Sequence, residues 1–270
     1  MRKVKDVVKF ILFLFKVKWI KTFIFNFSFM PFNQAVKLPI LIFGKVNVIS
    51  RIGEVKFKTE PSFGMVQIGK DVDHNPISSA VTKLNINGIL IFNGHCVISS
   101  GSTITVWRGF LEIGKYVSIG SGVQLKATRK IKIGDFSRIV ALSTIMDTNV
   151  HYVKDINTGE IHNNSGEVII GNNCWINQGA VITKGTTLPD HCIVARNSFL
   201  NKDYNNNDGF IVLAGSPAKE ISNGKQRIFD YSKEVELNNF FAKNPEQDKF
   251  VDTSGPFVEP STIPHIFKLI

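Results

Sequence analysis

The chain has 270 residues, 43% of them apolar, and a formal net charge of +10. That content can bury a core and excludes a disordered chain; the length fits one large domain with appendages. Three cysteines without a CxxC spacing argue against a disulfide framework or a zinc site, and point to a reducing, cytoplasmic setting.

The charge sits at one end. Residues 1–70 hold thirteen Lys/Arg and three Asp/Glu, whereas the remainder holds nineteen of each. Residues 1–30 read as one helix, with Arg2, Lys5, Lys9 and Lys16 on one face and Val4, Val7, Val8, Ile11, Leu14 and Phe15 around most of the rest. Such a helix suits a membrane surface, at the inner face of the membrane in a cytoplasmic protein. The other reading docks it on the end of the main fold or on another subunit. A nucleic-acid partner is not expected, because the Phe content fits a membrane better. No run reaches the ~18 uncharged apolar residues of a spanning helix. The apolar run from Phe10 to Phe15 is followed by no small-residue cleavage site, unlike a signal peptide. Residues 31–85 contain Pro31, Pro39, Pro61 and Pro76 and read as irregular lead-in coils.

A period of six then takes over. Aliphatic residues recur at Ile170, Ile176, Ile182, Leu188, Val194 and Leu200. Four residues after each of the first five stands a small one: Cys174, Ala180, Thr186, Cys192 and Ser198. The same register holds at Phe92, Ile98 and Ile104, at Ile113, Ile119 and Leu125, and at Ile133, Ile139 and Ile145. Six matches neither a helix nor a single strand; it is the mark of a solenoid with three flat faces per coil. The aliphatic residue fills the interior. The small one points inward near a corner, so Cys96, Cys174 and Cys192 read as packed side chains and not nucleophiles. Gly114, Gly120, Gly134 and Gly171 are expected to supply turn backbone angles. The fold class is all-β, a parallel β-helix over 66–219, after a basic, Phe-rich segment 1–65 and before a C-terminal helix and tail over 220–270. Residues 152–167 interrupt the period as a loop. Residues 228–243 read as a helix, and 244–270 as extended packing on the outside.

Three motifs carry a resemblance. They are Ile170-Gly171-Asn172-Asn173-Cys174-Trp175-Ile176, Arg196-Asn197-Ser198 followed by Lys202, and Gly215-Ser216-Pro217-Ala218-Lys219. With Met146-Asp147-Thr148-Asn149-Val150-His151 upstream, the stretch 110–219 resembles the hexapeptide-repeat acyltransferases of the galactoside, maltose and polysaccharide O-acetyltransferase group. The chain departs from that pattern at Asn177, where a Gly is usual, and at Arg196 and Asn197, which replace a small pair. The resemblance implies a left-handed coil, a homotrimer with sites between subunits, and acetyl-coenzyme A as co-substrate without a metal.

It also implies roles. His151 stands six residues after Ile145, at the next expected interior position, and is the expected general base; by its residues alone it reads equally as a surface-turn histidine. Asp147 either orients that imidazole or caps a turn. Asn149 is expected to hold acceptor hydroxyls, with His162 a second base candidate reaching a neighbouring subunit. Trp175, at a turn position, is expected to wall the sugar or the pantetheine arm, or to pack between subunits. Arg196, Lys202 and Lys219 are expected near coenzyme A, the lysines at its phosphates. Backbone N–H groups near Asn177 and Gln178 are expected to stabilise the oxyanion.

The expected activity is acetyl transfer to a hydroxyl of a sugar in a surface polysaccharide or its precursor. The rivals are N-acylation of a nucleotide-linked amino sugar, a non-catalytic scaffold, and a metalloenzyme like the γ-class carbonic anhydrases. The last needs three converging ligands, and His74, His95, His151, His162, His191 and His265 lack a convincing ligand spacing.

Overall fold

The computed structural model describes residues 2–70, 79–205, 209–253 and 267, with side chains from Val8 onward. His74, Pro76 and His265 lie outside the described residues.

The N-terminal segment makes two helices instead of one. They are α1 (Arg2–Lys16) and α2 (Trp19–Phe29), separated at Val17, which bridges to Phe43, and followed by the short α3 (Phe32–Ala35). One stripe of α2, Thr22, Phe25, Asn26 and Phe29, is buried at the i, i+3, i+4, i+7 spacing of a helix face. It covers the strand Ile40–Ile42 at the edge of the first coil. Asn26 Nδ2 donates to the Ile40 carbonyl at 2.7 Å, and its Oδ1 accepts from the Ile40 N–H at 3.2 Å. The Ile42 N–H donates to Thr22 Oγ1 at 3.0 Å. Two polar residues inside an apolar stripe thus satisfy backbone groups that an open sheet edge would leave unpaired.

The ladder therefore begins at Ile40, ahead of the expected start at residue 66. Ile40 pairs with Val66 in parallel, and Val46–Arg51 and Glu54–Phe57 both pair with Thr82–Phe92. The prolines that suggested irregularity, Pro31, Pro39 and Pro61, lie between elements, where a missing N–H breaks no ladder bond.

The periodic residues turn inward as expected. Ile170, Ile176, Ile182, Leu188, Val194 and Leu200 are buried, and so are Cys174, Ala180, Thr186, Cys192 and Ser198. Each strand pairs in parallel with the equivalent strand of the next coil: Ile170 with Leu188, Ile176 with Val194, Ile182 with Leu200. The repeat is 18 residues in these coils, as in the Asn172–Asp190 bond, and 20 or 21 in those from Cys96 to Ile145, as in Lys115–Asp135 and Cys96–Val117. Three short strands per coil give three faces. One is a nine-stranded sheet from Ile40–Ile42 to Val212–Gly215, ending in the antiparallel Ala218–Ser222. The other two merge into an eleven-stranded sheet, because Thr82–Phe92 and Thr103–Ile113 run continuously round the corner between them.

The corner glycines serve a different purpose from the one expected. Gly114, Gly134 and Gly171 are not in the left-handed region; they are needed because the next coil comes too close. A Cβ on Gly134 would lie 2.5 Å from the Gly171 backbone. At this corner the left-handed angles fall instead on Tyr116, Phe136, Asn173 and His191, with φ of 56°, 57°, 55° and 59°. Rings meet along the same column, His95 stacked on Tyr116 at 5.5 Å and Tyr116 tilted against Phe136 at 5.2 Å.

The C-terminal helix, α4 (Tyr231–Lys243), is capped by Asp230, whose side chain accepts from the Ser232 N–H. Beyond it, residues 244–253 form neither helix nor strand, and the rest of the expected tail is described only at Phe267, buried edge-on to Tyr116. All three cysteines are free and buried. Burial pushes the Cys174 thiol up to about 12 and the other two higher still, so none is a thiolate nucleophile at neutral pH.

Candidate active site

After Ile145 the run of regular coils is interrupted. The equivalent bond from Asp135 to Asn172 spans 37 residues, and the excess is an exposed arm. Its two legs run antiparallel, bridged at Thr148–Ser165 and Lys154–Ile161. Asp155 shapes the tip by accepting from the Thr158 and Asn157 N–H groups, which hold its carboxyl below the usual range.

At the root of this arm the backbone is strained. The His151 N–H donates to the Asn149 carbonyl at 2.7 Å, closing a three-residue turn around Val150, whose φ is +67°. A β-branched residue there is an outlier costing about 1–3 kcal/mol, and it persists only where neighbours enforce it. Here they do: the Val150 N–H donates to Thr148 Oγ1 at 2.9 Å, and Asn164 Nδ2 donates to the Val150 carbonyl at 3.0 Å. The turn presents His151 outward. Its side chain is exposed instead of occupying the interior position that the six-residue count suggested, because the regular coil stops at Asp147.

Asp147 takes the inward place. The register pairing Met146 with Lys126 sets it level with Ala127. Its carboxylate accepts from the N–H groups of Thr128, Arg129 and Lys130 at 2.7–2.9 Å and from Thr128 Oγ1 at 2.8 Å. Of its two expected readings, orienting His151 or capping a turn, Asp147 makes the cap, buried on the preceding coil's turn. Among the described residues, no hydrogen bond links Asp147 to His151.

A cleft of about 590 Å³ opens at the arm's root. One wall is the outer sheet face, with Asn85, Thr105, Trp107 and Lys126; the other includes Val150 and Tyr152, the two neighbours of His151. Two aromatic rings, several hydrogen-bonding side chains and a cation suit a polyhydroxylated ligand. Asn149 is exposed at the same root, and its N–H donates to the Asn164 carbonyl at 2.8 Å. His162 lies out on the arm, exposed, 3.8 Å from Glu160. Trp107 and Lys126 were not singled out in the sequence; Trp107 precedes the αL residue Arg108 in a long strand, and nothing local marks it.

The remaining expected residues lie elsewhere. Trp175 is in the strand Trp175–Ile176, not in a turn, and faces outward from the nine-stranded sheet beside its ladder partner Arg138. Arg227 crosses it, with Cζ 5.3 Å from the ring centre, and burial together with the Arg138 charge pushes this guanidinium down to about 10. Arg196, Lys202 and Lys219 are exposed on the terminal coils, Lys202 over the Tyr204 ring at 5.3 Å. The Asn177 N–H is committed to the Val194 carbonyl at 3.0 Å. Arg138 and Arg227 were missed because only the register and the returning C-terminal segment bring them to Trp175.

Similar solved structures are acyltransferases. One is the polysialic-acid-specific acetyltransferase NeuO, 18% identical, covering 76% of this chain and 87% of that one with a TM-score of 0.44. Another is AntD, an N-acyltransferase from Bacillus cereus in complex with dTDP and 3-hydroxybutyryl-CoA: 18% identity, 82% and 99% coverage, TM-score 0.39. A third is the polysialic acid O-acetyltransferase OatWY, with 20%, 74% and 98%, and 0.31. No family model and no curated protein matches the sequence.

Proposed function

We propose that this chain is a left-handed β-helix O-acetyltransferase that moves an acetyl group from acetyl-coenzyme A to a hydroxyl of a sugar in a surface polysaccharide or its precursor. The observation that carries the reading is the strained turn at Val150, which holds His151 in the open between two residues of a sugar-sized cleft. An alcohol attacks a thioester only as its proton leaves, and the exposed His151 imidazole, whose two sequence neighbours line the cleft although it does not itself line it, is suited to take it. Coenzyme A brings several negative charges. Lys202, Lys219 and Arg196 are chemically suited to them, as are Arg138 and Arg227 beside Trp175.

In one chain these two groups lie apart, His151 off the corner of the eleven-stranded sheet and Trp175 on the outside of the nine-stranded one. A homotrimer in which one copy's arm meets another's terminal coils brings them together. No metal enters this mechanism.

The test is acetyl-coenzyme A turnover on a panel of sugars and glycans, wild type against His151→Ala. A loss of about 10²-fold or more in kcat, the scale of a general base, is expected. Equal turnover removes His151 as the base and transfers the role to His162. Acetylation of amino sugars alone, sparing hydroxyls, replaces the O-transfer reading by N-acylation.

A further inference from the structure

The outer face of the N-terminal helices is apolar and has no partner among the described residues. On α2, Ile20, Phe23, Ile24 and Phe27 form a second i, i+3, i+4, i+7 stripe, and all four are exposed. Phe27 continues onto Phe32, at 5.9 Å between ring centres. On α1, Val8, Ile11, Leu12 and Phe15 repeat the same spacing, also exposed. Phe15, Ile20 and Phe32 expose 81%, 78% and 75% of their surface, more than a folded chain normally leaves to water at such size. A helix apolar on one face is explained by the coil it covers. Apolar stripes on both faces of α2 call for a second apolar environment.

Charge says which environment. From Val7 to Gly53 the chain carries no Asp or Glu, but holds Lys9, Lys16, Lys18, Lys21, Lys37, Lys45 and Arg51. Lys9 and Lys16 are exposed on α1, Lys18 between the helices and Lys21 on α2, where its Nζ also donates to the Val46 carbonyl at 2.7 Å. A second copy of the same face would set these cations against each other, with Asp6 the one acid in the two helices to answer them. An anionic bilayer supplies both an apolar layer and negative headgroups. No helix among the described residues is long and apolar enough to cross a membrane. The helices also stay anchored to the solenoid, through Asn26 and Thr22 on the first strand and through Phe13 on Phe43 at 5.3 Å.

We infer that α1, α2 and Phe32 form a peripheral docking face for an anionic lipid surface, with the apolar stripes entering the headgroup boundary and the lysines pairing with phosphates. This inference stands apart from the acetyltransferase reading and needs no activity to test. It also sets the solenoid's first coil against the bilayer and points its length away.

The experiment is flotation of the full-length protein with phosphatidylcholine vesicles and with vesicles in which about a third of the lipid is phosphatidylglycerol. Binding to the anionic vesicles, weakened by salt, is expected, with little to the neutral ones. Ile20→Ser with Phe23→Ser should abolish flotation, and Lys16→Gln with Lys18→Gln should weaken partition on the order of tenfold. Unchanged thermal melts exclude misfolding as the cause, since all four side chains are exposed or half-exposed. The inference is overturned if the wild type floats with neither vesicle, or with both alike. It is also overturned if Ile20→Ser with Phe23→Ser lowers the solution mass while flotation is unchanged, which would mean that a second copy covers the face.

Discussion

Asp147 shows how much one buried carboxylate can organise. Its two oxygens serve three backbone N–H groups and a hydroxyl of the preceding coil, with no exposure to water. Removing the acceptor would leave three amides without partners in a closed corner. Asp147→Ala is therefore expected to destabilise the fold by about 3–5 kcal/mol in denaturant melts, and Asp147→Asn by less. In a dyad the pattern would invert: Asp147→Asn would depress kcat strongly at unchanged stability. His151, just beyond the arm's first bridge, depends on this cap only through the position of the arm's root.

Among the elements, the corner columns decide what each coil tolerates. Glycine stands where the next coil's backbone approaches, and Tyr116, Phe136 and His191, though not Asn173, put a ring where the chain turns left-handed. His95 heads one ring column, and burial holds its imidazole below 6.5, favouring the neutral form in the fold. The unfolded chain then takes up the proton first as pH falls. The stabilisation is present in full above about 6.5 and is lost progressively below it. The melting temperature is expected to be flat above about pH 7 and to decline toward about pH 5, and His95→Phe should remove part of that decline while keeping the stack on Tyr116. A slope identical in the variant would assign the acid sensitivity to other groups.

For the whole molecule, the arm is the feature that a single solenoid does not explain. Tyr152, Val153, Ile156 and Ile161 are all exposed along it, Ile156 by 90%. In the proposed trimer these side chains pack on a neighbouring copy, where each aliphatic would contribute about 1.5–3 kcal/mol. Sedimentation velocity should then find the wild type at three times the chain mass. Val153→Ser with Ile156→Ser should shift it toward monomer at dilution and reduce turnover in parallel. A trimer indifferent to both substitutions would mean that the arm lies free of the interface.

Periodicity is a local property, so the sequence by itself determined the solenoid, its three faces, the inward cysteines, the interrupting loop and the C-terminal helix. Each follows from a few neighbouring residues repeating one conformation. It also marked His151, as a polar residue where the period fails. Only the tertiary structure decided what depends on how one coil sits on the next. It turned Asp147 toward residues 128–130 and turned His151 outward. It set Trp175 beside Arg138 and Arg227, joined Trp107 to the arm's root, and broke the N-terminal helix so that one half caps an edge. Those arrangements join residues tens of positions apart, through a coil repeat of 18, 20, 21 or 37 residues that no short window of sequence specifies.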